Sequence, residues 1–145
     1  MSKDEKKRRK IKDKNLLKFL LSKCLEEVTS LDANCLDIKD LTGVETMKNI
    51  QFLSLRENSI GALPDSFYLE KITNLDLSYN NIGDIVRLGN LLTLERLDLY
   101  ENNIKDVSFL SKLVNLKSLD IGGNSVSKEE YEKIQYDLPF CRIIM

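Results

Sequence analysis

Leucines recur every 22 residues along most of this chain, at Leu31, Leu53, Leu75, Leu97 and Leu119. Other columns keep the same step. Ala33, Leu55, Leu77, Leu99 and Ile121 come two residues later, and Val28, Ile50, Ile72, Leu94 and Leu116 three residues earlier. Five residues after the first column stand Asn58, Asn80, Asn102 and Asn124, with Leu36 in the opening repeat, followed by Ile38, Ile60, Ile82, Ile104 and Val126. A segment this short cannot bury its own apolar face. Copies must stack so that each covers the next, which makes the chain a solenoid.

Each column has a physical reading. The spacing L-x-x-L-x-L ends in apolar residues that alternate with polar ones, the period of a strand buried on one side. The asparagine falls where the strand turns out, and its amide can satisfy backbone groups inside the bend. Asn58, Asn80, Asn102 and Asn124 are thus expected to form a structural ladder. The second half of each repeat keeps apolar residues about every third position, as in Val107, Leu110 and Leu113, which suits short 3₁₀ or irregular turns.

The segments Ile72-Thr-Asn-Leu-Asp-Leu-Ser-Tyr-Asn-Asn-Ile82 and Leu94-Glu-Arg-Leu-Asp-Leu-Tyr-Glu-Asn-Asn-Ile104 resemble leucine-rich repeats of the 22-residue subclass. That subclass occurs in bacterial internalins and in a regulatory subunit of protein phosphatase 1. The opening repeat, from Val28 through Asp40-Leu-Thr-Gly-Val-Glu45 to Ile50, is similar to internalin repeats in particular. The resemblance implies an α/β fold: a right-handed solenoid with a parallel β-sheet on its concave face, 3₁₀ or irregular convex turns, and helical caps. It spans about residues 28 to 145.

The expected organisation is a basic, flexible tail over 1–14, a cap helix over 15–27, five repeats over 28–126, and over 127–145 a second cap helix with a truncated sixth strand. In the first cap, Leu17, Leu20, Leu21, Cys24 and Val28 fall at helical spacing. In the second, Ser127-Lys-Glu-Glu130 has the form of a capping box. Tyr131, Ile134 and Leu138 mark the buried helical face, and Pro139 ends it. Cys141 takes a core leucine position, and Cys141 to Ile144 forms a potential sheet edge.

Charge is unevenly placed. Residues 1 to 14 carry eight basic and three acidic residues, net +5, so a chain of net charge −1 leaves −6 on the rest. There is no histidine, which removes His-based triads, Cys–His dyads and imidazole ligands. The three cysteines are widely separated and form no C-x-x-C pair, so no zinc site or disulfide framework is expected. No catalytic residues, metal or cofactor are assigned, and the chain is read as non-enzymatic. Free thiols and the lack of a visible signal segment or membrane span lead to an expected cytoplasmic location.

With leucines inward, the intervening residues face the concave side. Phe52, Arg56, Tyr79, Arg96 and Tyr100 form its expected centre, since aromatic and arginine side chains with no core to serve are typical binding anchors. Glu57 and Glu101 flank them, and Asp76, Asp98 and Asp120 make an acidic strip suited to a basic partner segment. These ten residues are the expected contacts for a partner protein. Two other readings stay open: a regulatory subunit of an enzyme such as a phosphatase, and a nucleic-acid-associated protein acting through Lys6-Lys-Arg-Arg-Lys10. For that short cluster, nucleic acid is not the favoured partner.

Overall fold

In the computed structural model, described over residues 2–145, six short strands form one parallel sheet in chain order. Met1, the first residue of the expected tail, lies outside the described residues. The strands are β1 (Ser30–Asp32), β2 (Phe52–Ser54), β3 (Asn74–Asp76), β4 (Arg96–Asp98), β5 (Ser118–Asp120) and β6 (Arg142–Ile144). Pairing is in register throughout: Leu31 faces Leu53, then Leu75, Leu97, Leu119 and Ile143. The central residue of each strand from β1 to β5 is buried while its neighbours face out. Each strand is only three residues long because the next apolar residue must already turn into the core.

On the opposite side the chain forms 3₁₀ turns at Val44–Thr46, Val86–Asn90 and Ser108–Lys112. The second repeat crosses that side irregularly, through Gly61 to Pro64. These convex segments are bulkier than a strand, whereas sheet neighbours sit ~4.8 Å apart. The stack therefore curves, and the sheet becomes its concave face. The result is a right-handed α/β solenoid with one continuous core of leucine and isoleucine columns.

Each ladder asparagine joins two repeats. The Asn102 amide donates to Leu77 O (2.9 Å), Leu99 O (3.1 Å) and Tyr100 O (3.4 Å), and its oxygen accepts from Ile82 N–H (2.9 Å). Asn58, Asn80 and Asn124 make the same pattern one repeat apart.

The N-terminal segment differs from the sequence expectation. Residues expected to be a flexible tail contain helix α1 (Lys3–Arg8), started by a capping box of Ser2 and Glu5. Its inner side is fastened: Arg8 Nη2 donates to Lys23 O (2.7 Å), Lys7 pairs with Glu26 (3.3 Å), and Ile11 is buried. Lys12 N–H donates to Thr42 O (3.2 Å). Gly43 permits this close approach. Its φ is +102°, and a Cβ there would lie 2.6 Å from Ile11 backbone.

Helix α2 (Lys14–Leu20) is shorter than the expected 15–27 cap and turns another face inward. Leu16, Leu20 and Leu25 are buried, Leu17 is half-buried, and Leu21 and Cys24 are exposed. Asp13 sets this phase. One carboxylate oxygen accepts from Asn15 and Leu16 N–H at 2.9 and 3.0 Å. The other accepts from Lys39 and Asp40 N–H at 2.8 and 3.2 Å. The same side chain thereby caps α2 and pins it to the first repeat.

Helix α3 (Lys128–Asp137) begins with Ser127 Oγ accepting from Glu130 N–H (3.1 Å), and it buries Ile134. Only that half of the expected capping box is formed. The helix packs beside the 3₁₀ turn at Ser108–Lys112, so it continues the convex row instead of covering the end of the sheet. Cys141 does not take the core leucine position: the last step is two residues longer, Ile143 stands opposite Leu119, and Cys141 precedes β6, half-buried, with its thiol pushed up from the usual range by burial.

Candidate binding face

The concave sheet offers two neighbouring features, where the sequence reading placed a single centre. The first is a hollow of about 480 Å³ over the strands, lined by Phe52, Asn74 and Arg96 on one row and Asp76, Asp98 and Asp120 on the next. Phe52 is 46% exposed, and Arg96 is exposed and in no ion pair among the described residues. Phe52 and Arg96 are thus separated from the tyrosines with which the sequence grouped them.

The second feature is a ridge where the strands turn out. The Arg56 guanidinium lies 4.3 Å from the centre of the Tyr79 ring, and Tyr79 meets Tyr100 edge to face at 5.3 Å. Glu57 holds Arg56 from the side, Oε1 accepting from Nε at 3.0 Å. Arg56 thus stacks on an aromatic face while keeping a carboxylate partner. Tyr79 remains 40% exposed. The ridge is preformed.

Gly122 and Gly123 make room for its far end. A Cβ on Gly122 would lie 3.0 Å from the Tyr100 ring, and one on Gly123 2.8 Å from Glu101 Cδ, so both side chains lean over this bare backbone. The sequence reading missed these glycines as the seat of Tyr100 and Glu101. Ser78 is fully buried, donating to Asp76 Oδ1 at 2.6 Å and accepting from Arg56 at 3.4 Å.

The aspartates have a local duty. Asp32, Asp76, Asp98 and Asp120 each use Oδ1 to accept the N–H two residues on, at Asn34, Ser78, Tyr100 and Gly122. This Asx turn ends every strand but β2 and β6 and explains the repeated aspartate. In β2, where Ser54 replaces it, Asn34 Oδ1 accepts from Arg56 N–H instead, at 2.7 Å. Asp98 also lines the hollow. Burial pushes its carboxyl up, aided by Asp76 and Asp120, against the lowering by Tyr100 N–H and Arg56. This stretch is an acidic floor whose charges repel one another.

Chemically, the face offers stacking, ion pairing and hydrogen bonding. Among the described residues no group of three or more cysteine, aspartate or glutamate side chains is arranged to hold a metal ion. No helix among them is long and apolar enough to cross a membrane.

Sequence and structure comparisons agree with this geometry. Family models described as "Leucine Rich repeats (2 copies)" and "Leucine Rich repeat" match residues 92–130 and 68–85. The chain is a leucine-rich-repeat solenoid. A search of curated proteins finds no match. Among solved structures, an internalin from Listeria monocytogenes superposes with a TM-score of 0.83 at 26% identity, over 95% of this chain and 44% of the internalin. A leucine-rich-repeat protein of Leptospira interrogans aligns with a TM-score of 0.63 at 24% identity, covering 83% of this chain and 38% of its own. The ectodomain of a receptor kinase from Arabidopsis thaliana aligns at 0.61 and 21% identity, over 79% and 65%. The latter two bear on fold alone. This leucine-rich-repeat chain therefore spans less than half of the internalin it resembles.

The expected cytoplasmic location is overturned by the internalin, which shares this architecture over 95% of the chain. Free cysteines are a poor marker here. Cys35 and Cys141 sit at opposite edges of the sheet and Cys24 on the N-terminal cap, and all three are free. The likeness to repeat scaffolds, together with the chemistry of the face, is that of a non-enzymatic protein. Solenoids of this type use the concave sheet as a protein-binding surface.

Proposed function

We propose that this solenoid captures one partner protein along its concave face. The Arg56–Tyr79–Tyr100 ridge is the anchor, and the floor of Asp76, Asp98 and Asp120 receives a basic side chain. The observation that carries this reading is the preformed stack of an arginine and two tyrosines, half-buried at Arg56 and Tyr100 and exposed at Tyr79. Rigid aromatic side chains lose little freedom on binding, so their contact area translates well into affinity. Glu57 and Glu101 extend the acidic border, while Phe52 and Arg96 contribute from the hollow. The 22-residue step that runs from Ser30 through Phe52, Asn74 and Arg96 to Ser118 also supports placing the repeats in the 22-residue subclass.

The test is capture of native proteins on the immobilised chain, compared with a Tyr79→Ala/Tyr100→Ala variant. Truncating two anchors should weaken capture about 30-fold or more. The melting temperature should fall by only a few degrees, because neither ring belongs to the core. Equal capture by both proteins would reject the ridge as the anchor. A regulatory subunit would use the same face, so an enzyme's catalytic chain among the captured proteins would make the solenoid a targeting subunit.

A further inference from the structure

The N-terminal cap carries a second surface, away from the concave sheet. Helices α1 and α2 enclose an open trough lined by Glu5, Arg8, Arg9, Leu17 and Leu21. Leu21 is 57% exposed, although Leu16 and Leu20 beside it are completely buried. Helical spacing places Lys14 and Lys18 along the stripe next to Leu17 and Leu21. Lys6, Arg9, Lys10, Lys14 and Lys18 enter no ion pair among the described residues. Lys7 and Arg8, in contrast, are turned to Glu26, Asp4 and Lys23 O and hold α1 in place.

Unpaired cations surrounding an exposed leucine have a defined chemistry. Charge alone would serve any polyanion. The leucine adds contact area that a phosphate backbone does not reward but a lipid interface does. The charge division of the molecule works in the same direction, with +5 in residues 1–14 and −6 in the remainder. An anionic surface attracts the cap and repels the acidic body, which turns the concave face away from it.

We propose that the α1–α2 cap docks on anionic lipid bilayers, with Leu21 entering the headgroup region and Lys6, Arg9, Lys10, Lys14 and Lys18 facing lipid phosphates and carboxylates. Docking is peripheral and reversible. It is independent of the ridge, so both surfaces can be engaged together.

Co-sedimentation of the full chain with phosphatidylcholine vesicles, with and without phosphatidylserine, tests the proposal. The chain should pellet only with serine-containing vesicles and be released by added salt. Arg9→Gln/Lys18→Gln should weaken partition about 20-fold, each cation near the surface being worth about fivefold. Leu21→Ser, with charge unchanged, should weaken it about threefold and retain the parent melting temperature. The Tyr79→Ala/Tyr100→Ala variant should partition like the parent whether or not the concave reading holds. Absence of binding to serine-containing vesicles at low salt would overturn the proposal. So would binding unaffected by Leu21→Ser together with equally tight binding of duplex DNA, which would mark a general polyanion patch.

Discussion

Asp98 both closes a turn and lines the hollow. Oδ1 closes the turn by accepting Tyr100 N–H at 2.9 Å, a task a neutral amide oxygen performs equally well. The negative charge has no such local use. Partial burial, then Asp76 and Asp120, raise its folded pKa above the ordinary value. A raised carboxyl disfavours folding while ionised, and the penalty is relieved as pH falls through the folded pKa. Asp98→Asn should therefore stabilise the chain at neutral pH, by a few tenths to about 1 kcal/mol after solvent screening. The gain should shrink on acidification, when the parent aspartate is protonated as well. Urea denaturation at neutral and acidic pH measures both, and a less stable variant at neutral pH would show that the charge itself supports the fold. The same substitution should weaken capture of a basic partner. Residue-level detail of this kind was only partly legible. Leu-Asp-Leu was visible as a habit of the repeat, but the Asx turn behind it was not. Cys35, Glu57, Tyr79 and Glu101 all adopt positive φ at one repeat position, and only Gly123 in that column signals it.

At the scale of elements, strands β1 to β5 were readable because one period fixed both register and inward face, whereas β6 was misplaced by two residues because the last step is 24 residues long. The caps had two solutions. Leu17 with Leu21 and Leu16 with Leu20 are equally spaced stripes of one helix, and the bonds of Asp13 and Asn15 to the first repeat decide between them. The tail was a different case. Ser2-Lys-Asp-Glu5 has the same capping form as Ser127 to Glu130, yet a run of lysines around it read as solvated chain. The ladder, by contrast, yields a graded expectation. Asn102 is buried, so Asn102→Ala strips three carbonyls and Ile82 N–H of a partner away from water, at about 1–3 kcal/mol. Asn124 makes the same bonds at the half-exposed end of the core, where water can replace some of them. Asn124→Ala should cost clearly less. Thermal melts of the two variants compare them directly, and equal losses would mean that connection between repeats, not burial, sets the value of each asparagine.

For the whole molecule, a solenoid couples each repeat mainly to its neighbours, so its ends open at lower free energy than its middle. The N-terminal end is closed by α1 and α2, and Asp13 bonds this cap to the first repeat through two N–H groups, beside one bond from Asn15 Nδ2 to Asp37 O. Partial burial pushes the Asp13 carboxyl up, but N–H donors from Lys39, Leu16, Asp40 and Asn15 outweigh that and hold it below the ordinary value. A lowered carboxyl contributes stability that is complete above its unfolded pKa of about 3.9 and is lost as pH falls through the folded value. Acid should accordingly loosen the cap before the centre. Asp13→Ala should reproduce the effect at neutral pH, at about 1–2 kcal/mol for the lost N-cap and its cross-link. Hydrogen exchange resolved by residue is the decisive measurement. In the variant, amides of Lys14–Leu20 and of residues 38–43 should exchange faster, while those of β3 and β4 keep their parent rates. A uniform rise along the chain would show instead that the solenoid opens as a single unit, with the cap too strongly coupled to the repeats to move alone.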